Sequence, residues 1–270
     1  MSEGIDGRRW TLWDHVNGAR VQGSVIGALI MREMHTRYGR TGLGFVWLIL
    51  EPMILAGLVV TIRGGRGHAG AGMDPVAFVI LGYTMFILFR NIWNRSDSAL
   101  EANMTLLHHR MVTVFDIVIT RALLEAVSCF GAFVVLMGVC LLANVVHPPA
   151  RPYEYLIGFL LLWWWAFAWS LLIVAGTHEN PAMQKFVHPI SYILLPLSGA
   201  FVIVDWLPYS WHKWTAWWPF MTLFEQLRYG WFETASPDHR YLAYTAFCCL
   251  FLTFLGLVAI RVVRRKVHLQ

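Results

Sequence analysis

Arg32, Arg37 and Arg40, with Tyr38 among them, run directly into an apolar stretch, Leu43 to Ile62, whose only ionisable side chain is Glu51, followed by Pro52. Guanidinium groups at the mouth of such a stretch take up a phosphate bidentately, or anchor the chain to anionic lipid at about 1 kcal/mol per basic residue. About 20 apolar residues rising about 1.5 Å each cross a hydrocarbon core of roughly 30 Å, so Glu51 is expected near mid-membrane. A charged, unpaired carboxylate there costs several kcal/mol. Glu51 is therefore either a neutral structural group bonded to a neighbouring helix or a direct participant in moving a substrate. Pro52 removes a helix donor and kinks the span.

A second chemically suggestive stretch runs from Asp205 to Arg240, with Trp206, Trp211, Trp214, Trp217, Trp218 and Trp231 interrupted by Pro208, Pro219 and Pro237. Indole offers a flat apolar face and one donor, suited to stacking on a sugar ring or to an aromatic belt at the bilayer surface. Trp47, Glu51, Trp206, Trp217 and Trp218 are the candidate walls of a path. Trp163, Trp164, Trp165 and Trp169 fall on several sides of one helix, which favours packing and lipid roles. No catalytic residue is expected. Cys129, Cys140, Cys248 and Cys249 lie in apolar spans without ligand spacing, and the histidines are scattered, so no metal site is expected either.

The elements that position these residues are membrane helices. A chain 57% hydrophobic and 14% charged cannot hide its apolar surface in one soluble core. Runs near membrane length fall at 43–62, 76–93, 123–143, 155–175, 189–206 and 241–260, an all-α plan of six spans. They follow an arm at 1–42 and precede a tail at 261–270. With the amino terminus inside, fifteen of the 21 Lys and Arg residues collect on one side, so both termini of this multi-pass membrane protein are expected in the cytoplasm. That bias accounts for the net charge of +5 without nucleic acid. No cleavable signal peptide is evident, because charges occupy the first residues. Val25 to Met31 is too short to span and suits an interfacial helix. Between the second and third spans, Leu100, Met104 and Leu107 repeat at spacings of four and three, the mark of a short amphipathic helix parallel to the membrane. Arg121 and Glu125, one turn apart, are expected to form a local ion pair.

The stretches MREMHTRYGRTGLGFVWLILEP (31–52), IWNRSDSALEAN (92–103), ITRALLE (119–125) and NPAMQK (180–185) occur in this order on this topology. Together they resemble the membrane subunit of the ABC-2 transporters that export capsular polysaccharide in Gram-negative bacteria, over about 27–261. Ser198 to Pro208 departs from the pattern in its apolar sequence. The resemblance implies two copies of this permease with two copies of a separate ATPase, moving a lipid-linked acidic polysaccharide from cytoplasm to periplasm. A periplasmic co-polymerase and an outer-membrane channel would continue the path. It implies a coupling helix around Glu101 to Arg110, with Glu101, Asn103, Leu106, Leu107 and Arg110 meeting the ATPase, and short re-entrant helices between spans five and six. No G-x-x-x-x-G-K-[ST] loop is present, so ATP and magnesium would belong to the partner and this chain needs no cofactor of its own.

Two other readings are compatible with the plan. One is an ABC-2 permease for another lipid-linked polymer, such as O antigen or teichoic acid. The other is a membrane enzyme on lipid-linked sugars, although the paired carboxylates or acidic metal motif that such chemistry uses are not evident, Glu225, Glu233 and Asp238 being only loosely grouped.

Overall fold

A computed structural model describes residues 12–38, 72–107 and 112–267, with positions 50, 53, 54 and 58 between them. Among these residues the structure is helical, without strands. Helix α1 is Leu12–Tyr38, α2 is Pro75–Asn94 and α3 is the single turn Met104–Leu107. Helices α4 (Val114–Leu142), α5 (Pro152–Glu179), α6 (Gln184–Leu197), α7 (Tyr209–Ala216), α8 (Pro219–Trp231) and α9 (Leu242–Val267) complete the order.

Among the described residues, four helices are long and apolar enough to cross a membrane: α2, α4, α5 and the Leu242–Val263 portion of α9. Their ends follow from local chemistry. Pro75 and Pro152 occupy first-turn positions, where the missing N–H would have no partner anyway. Helix α4 starts at Val114, earlier than the expected span, because Thr113 and Asp116 form a reciprocal capping box: the Asp116 carboxylate accepts from the Thr113 N–H at 2.9 Å, and the Thr113 hydroxyl accepts from the Asp116 N–H at 3.2 Å. Helix α5 ends where Asn180 precedes Pro181, and the Asn180 side chain caps the Ala182 N–H at 3.0 Å. Helix α9 runs on past Ile260 into what the sequence suggested was a tail.

Helix α2 is the centre of the bundle and α9 its rim, with 78% of the one span and 22% of the other buried. Helix α5 packs against both α8 and α9. Gly230 of α8 lies so close to the Tyr155 backbone that a Cβ has no room, and the Arg151 N–H donates to its carbonyl at 2.8 Å.

The fifth expected span, 189–206, is not one helix. Helix α6 carries Pro189 and Pro196 and stops at Leu197, and the chain then turns through Gly199 at φ +80° and runs irregularly to a short 3₁₀ turn, Val204–Trp206. The prolines withhold ladder donors and Gly199 adopts a left-handed conformation, so the helix cannot continue. The first expected span lies almost wholly outside the described residues.

Candidate functional site

Two arrangements follow from this frame. The first lies where α2 ends and α4 begins. Arg95 meets the Glu125 carboxylate at 2.9 Å, and the Asn91 amide donates to the same group at 3.1 Å. Arg121 donates to the Arg95 carbonyl at 3.0 Å and meets Glu33 of α1 at 3.4 Å. Arg121 and Glu125, expected as a local pair, each also reach a distant partner, because the α2 terminus and α1 bring charges that sequence spacing does not reveal. Gln22 of α1 also donates to Asp116 at 3.0 Å, so the amino-terminal helix is fastened to the start of α4 at two points.

The connection from Asp97 to Leu107 is held within this network. Its Asn103 is buried and accepts from Arg32 at 2.9 Å, while its own amide donates to the Ala99 carbonyl at 2.9 Å. Glu101 is exposed and accepts from Gln184 at 3.0 Å, and His188 of α6 lies 3.1 Å from Asp97. Of the expected coupling residues, Glu101, Asn103 and Leu106 are described. The side chains of Leu107 and Arg110 fall outside the described residues. The amphipathic helix expected here is a 3₁₀ turn, Glu101–Asn103, followed by α3. Leu100 is buried and Met104 exposed, so the anticipated single apolar face is divided between core and surface. Arg32 remains exposed beyond its bond to Asn103. The side chains of Arg37 and Tyr38, together with Arg40, Trp47 and Glu51, lie outside the described residues.

The second arrangement supports the irregular run after α6. Helix α8 lies among the spans with its Phe220 ring 4.4 Å from that of Phe89, well along α2, and its Trp231 beside Ala150 at the start of α5. In its last turn, Arg228 is fully buried, 2.9 Å from Glu225 and with its guanidinium 5.0 Å from the Phe78 ring. Arg228 donates to the Gly199 carbonyl, and the Glu225 carboxylate accepts from the Val204 N–H at 3.0 Å. The Ser198 hydroxyl accepts from the Ala200 N–H at 3.1 Å. Irregular backbone at membrane depth persists only where protein satisfies it, and one ion pair does this for both sides of the break. The Ala200 carbonyl presses against Gly82 of α2, where a Cβ would collide. Sequence analysis did not single out Arg228. The signal for the pair was the i, i+3 spacing of Glu225 and Arg228 inside an apolar segment.

The tryptophans separate by role. Trp206 is 44% exposed with its ring 5.8 Å from Phe78, and Trp218 donates to the Leu197 carbonyl at 2.9 Å from the end of α7. Trp217 is 71% exposed, and its carbonyl accepts from Tyr244 at 3.3 Å. Those of α5 pack: Trp163 donates to Ala122 and Trp164 to Thr253, each at 3.0 Å, and Trp169 lies against Trp93 at 5.5 Å between ring centroids. Sequence reasoning also passed over Arg90, the sole Asp, Glu, Lys or Arg of α2, whose position inside an apolar run was the available signal.

Together these features make a membrane bundle with one polar, tightly linked end and one broken span, an arrangement suited to conformational transport. Residues 24–232 match the ABC-2 type transporter family. The capsule polysaccharide export inner-membrane protein BexB of Haemophilus influenzae is 34% identical over 89% of this chain and 91% of its own. The capsule polysaccharide export inner-membrane protein CtrC of Neisseria meningitidis is likewise 34% identical over 89% and 91%. The polysialic acid transport protein KpsM of Escherichia coli is 29% identical over 91% of this chain and 95% of its own. With the matched region covering most of its length, the chain belongs to the ABC-2 type transporter family.

Proposed function

We propose that this chain is the membrane permease of an ABC exporter that carries a lipid-linked acidic capsular polysaccharide from cytoplasm to periplasm. The observation that carries the reading is likeness over about nine-tenths of both chains to relatives named for capsule polysaccharide export, at 34% and 34% identity. In this reading the protein works as a dimer with two ATPase subunits, has six spans, and keeps both termini in the cytoplasm. The Asp97–Leu107 connection docks on the ATPase. Its bonds to α1 through Arg32 and to α6 through Gln184 and His188 give a push on this connection two routes into the membrane. Arg32, Arg37, Tyr38 and Arg40 receive the phosphate of the lipid end, and Trp206, Trp217 and Trp218 offer weak stacking along the exit, because tight binding at any point would stall a polymer. A periplasmic co-polymerase and an outer-membrane channel receive the product.

The test is complementation of cells lacking the gene, with this chain alone or with its neighbouring ATPase, followed by glycan staining and immunoblotting of the surface. Intracellular polymer that reaches the surface only when both are supplied is the expected result. Loss of polymer synthesis itself would transfer the reading to an enzyme of lipid-linked sugars.

A further inference from the structure

Helix α2 carries one Asp, Glu, Lys or Arg, Arg90, four residues before its end. Its guanidinium donates to the Tyr192 hydroxyl at 2.8 Å and lies 4.3 Å from the centre of that ring. No carboxylate among the described residues pairs with it. Arg95 has Glu125, Arg121 has Glu33, Arg228 has Glu225 and Arg240 has Glu154, while Arg151, which also pairs with no described carboxylate, donates to the Tyr229 and Phe232 carbonyls instead. A guanidinium held at a membrane helix without a counter-charge does not face hydrocarbon. It faces water, or an anion that arrives there.

The surroundings indicate which anion. Tyr192 is 59% exposed, so the pair is open on the α2–α6 side. Tyr83 lies seven residues earlier on the same face of α2, about 10 Å along the axis, and its ring is 6.3 Å from that of Phe201 in the irregular run. Nearer the start of α2, the exposed Trp206 has its ring 5.8 Å from that of Phe78. A planar cation with free donors followed by aromatic faces and phenolic hydroxyls matches an acidic sugar chain: the guanidinium takes the carboxylate and the rings take the apolar faces of successive sugars.

We propose that Arg90, positioned by Tyr192, binds the carboxylate groups of the transported acidic glycan at the mouth of an aromatic track formed by Tyr83 and Phe201. The proposal rests on the exporter reading and adds an anion-selective contact that is separate from the amino-terminal arginines. Tyr192 holds the guanidinium without neutralising it, so the cation stays available to each passing acidic group.

The test uses the full permease with its ATPase in nanodiscs and two fluorescent probes of equal length, an oligoglucuronate and its carboxyl-reduced, neutral form. Arg90→Gln is expected to weaken oligoglucuronate binding about tenfold, the loss of one hydrogen-bonded charge contact, and to leave the neutral probe unaffected. Arg90→Lys retains part of the affinity, and Arg261→Gln, an exposed arginine of α9, changes nothing. Tyr192→Phe keeps the ring and removes the hydroxyl anchor. It weakens acidic-probe binding even if Arg90→Gln fails to assemble. Wild-type affinity for the acidic probe in Arg90→Gln, or in Tyr192→Phe should Arg90→Gln fail, overturns the site, as does equal loss for both probes. A loss present only in discs containing phosphatidylglycerol assigns Arg90 to lipid headgroups and also overturns it. Wild-type protein that binds neither probe defeats the exporter reading together with the site, whereas selective wild-type binding that survives the substitutions defeats the site alone.

Discussion

Substituting Arg228 by methionine removes a fully buried guanidinium while preserving much of its volume. Three groups lose their partner: the Glu225 carboxylate 2.9 Å away, the Gly199 carbonyl, and the Phe78 ring face at 5.0 Å. Leaving one member of a buried pair uncompensated costs about 3–5 kcal/mol. For a chain of this size each kcal/mol moves a melting midpoint by roughly 2–4 °C, so Arg228→Met is expected to lower it by on the order of 10 °C. The double variant Glu225→Gln/Arg228→Met removes the stranded charge but keeps an amide oxygen for the Val204 N–H, which Glu225 now accepts at 3.0 Å. It should recover more than half of the loss, because the Gly199 carbonyl is then the main group left without its donor. The assay is thermal unfolding of purified protein in one detergent, followed by tryptophan fluorescence and by size-exclusion recovery, for wild type, both singles and the double. A single variant melting within about 2 °C of wild type, or a double variant no better than Arg228→Met, would refute the view that this pair sustains the broken span.

Three further outcomes follow from particular contacts. Gly82→Ala drives a Cβ into the Ala200 carbonyl and should cost about 1–3 kcal/mol, whereas Gly138→Ala, with open space around it, should be neutral or gain up to about 1 kcal/mol in helix propensity; the two melting curves decide. Gln184→Ala/His188→Ala cuts the links from α6 to Glu101 and Asp97, and is expected to reduce export about fivefold while ATPase binding and hydrolysis persist, so a parallel fall in hydrolysis would count against transmission through α6. Arg32→Gln keeps a donor for Asn103 but removes the charge. Reduced surface glycan with normal membrane insertion is expected, and normal export would limit Arg32 to bracing the connection.

Legibility varied with the range of the interactions involved. The spans at Pro75–Asn94, Pro152–Glu179 and Leu242–Val263 were readable as runs of apolar residues, since the requirement to satisfy backbone groups in hydrocarbon leaves a helix as the only local solution. The earlier start of α4 was readable in principle from Thr113 and Asp116, which form a local cap. The break after Leu197 was foreshadowed by Pro196 and Gly199, yet its path was not, because the partners of the irregular backbone come from α8, more than twenty residues along the chain.

The amino-acid sequence by itself determined the membrane class, the helical build and the kinship to ABC-2 transporters. These rest on composition, on period and on motifs contained in short stretches. Only the tertiary structure decided that Arg32 meets Asn103, that Glu125 answers Arg95, that Gln184 and His188 hold the connection, and that Arg90 stands beside Tyr192 with no carboxylate among the described residues. The physical reason is that apolar burial is non-directional and accumulates residue by residue, whereas a charge in a membrane bundle is settled by whichever distant atom the packing brings within about 3 Å.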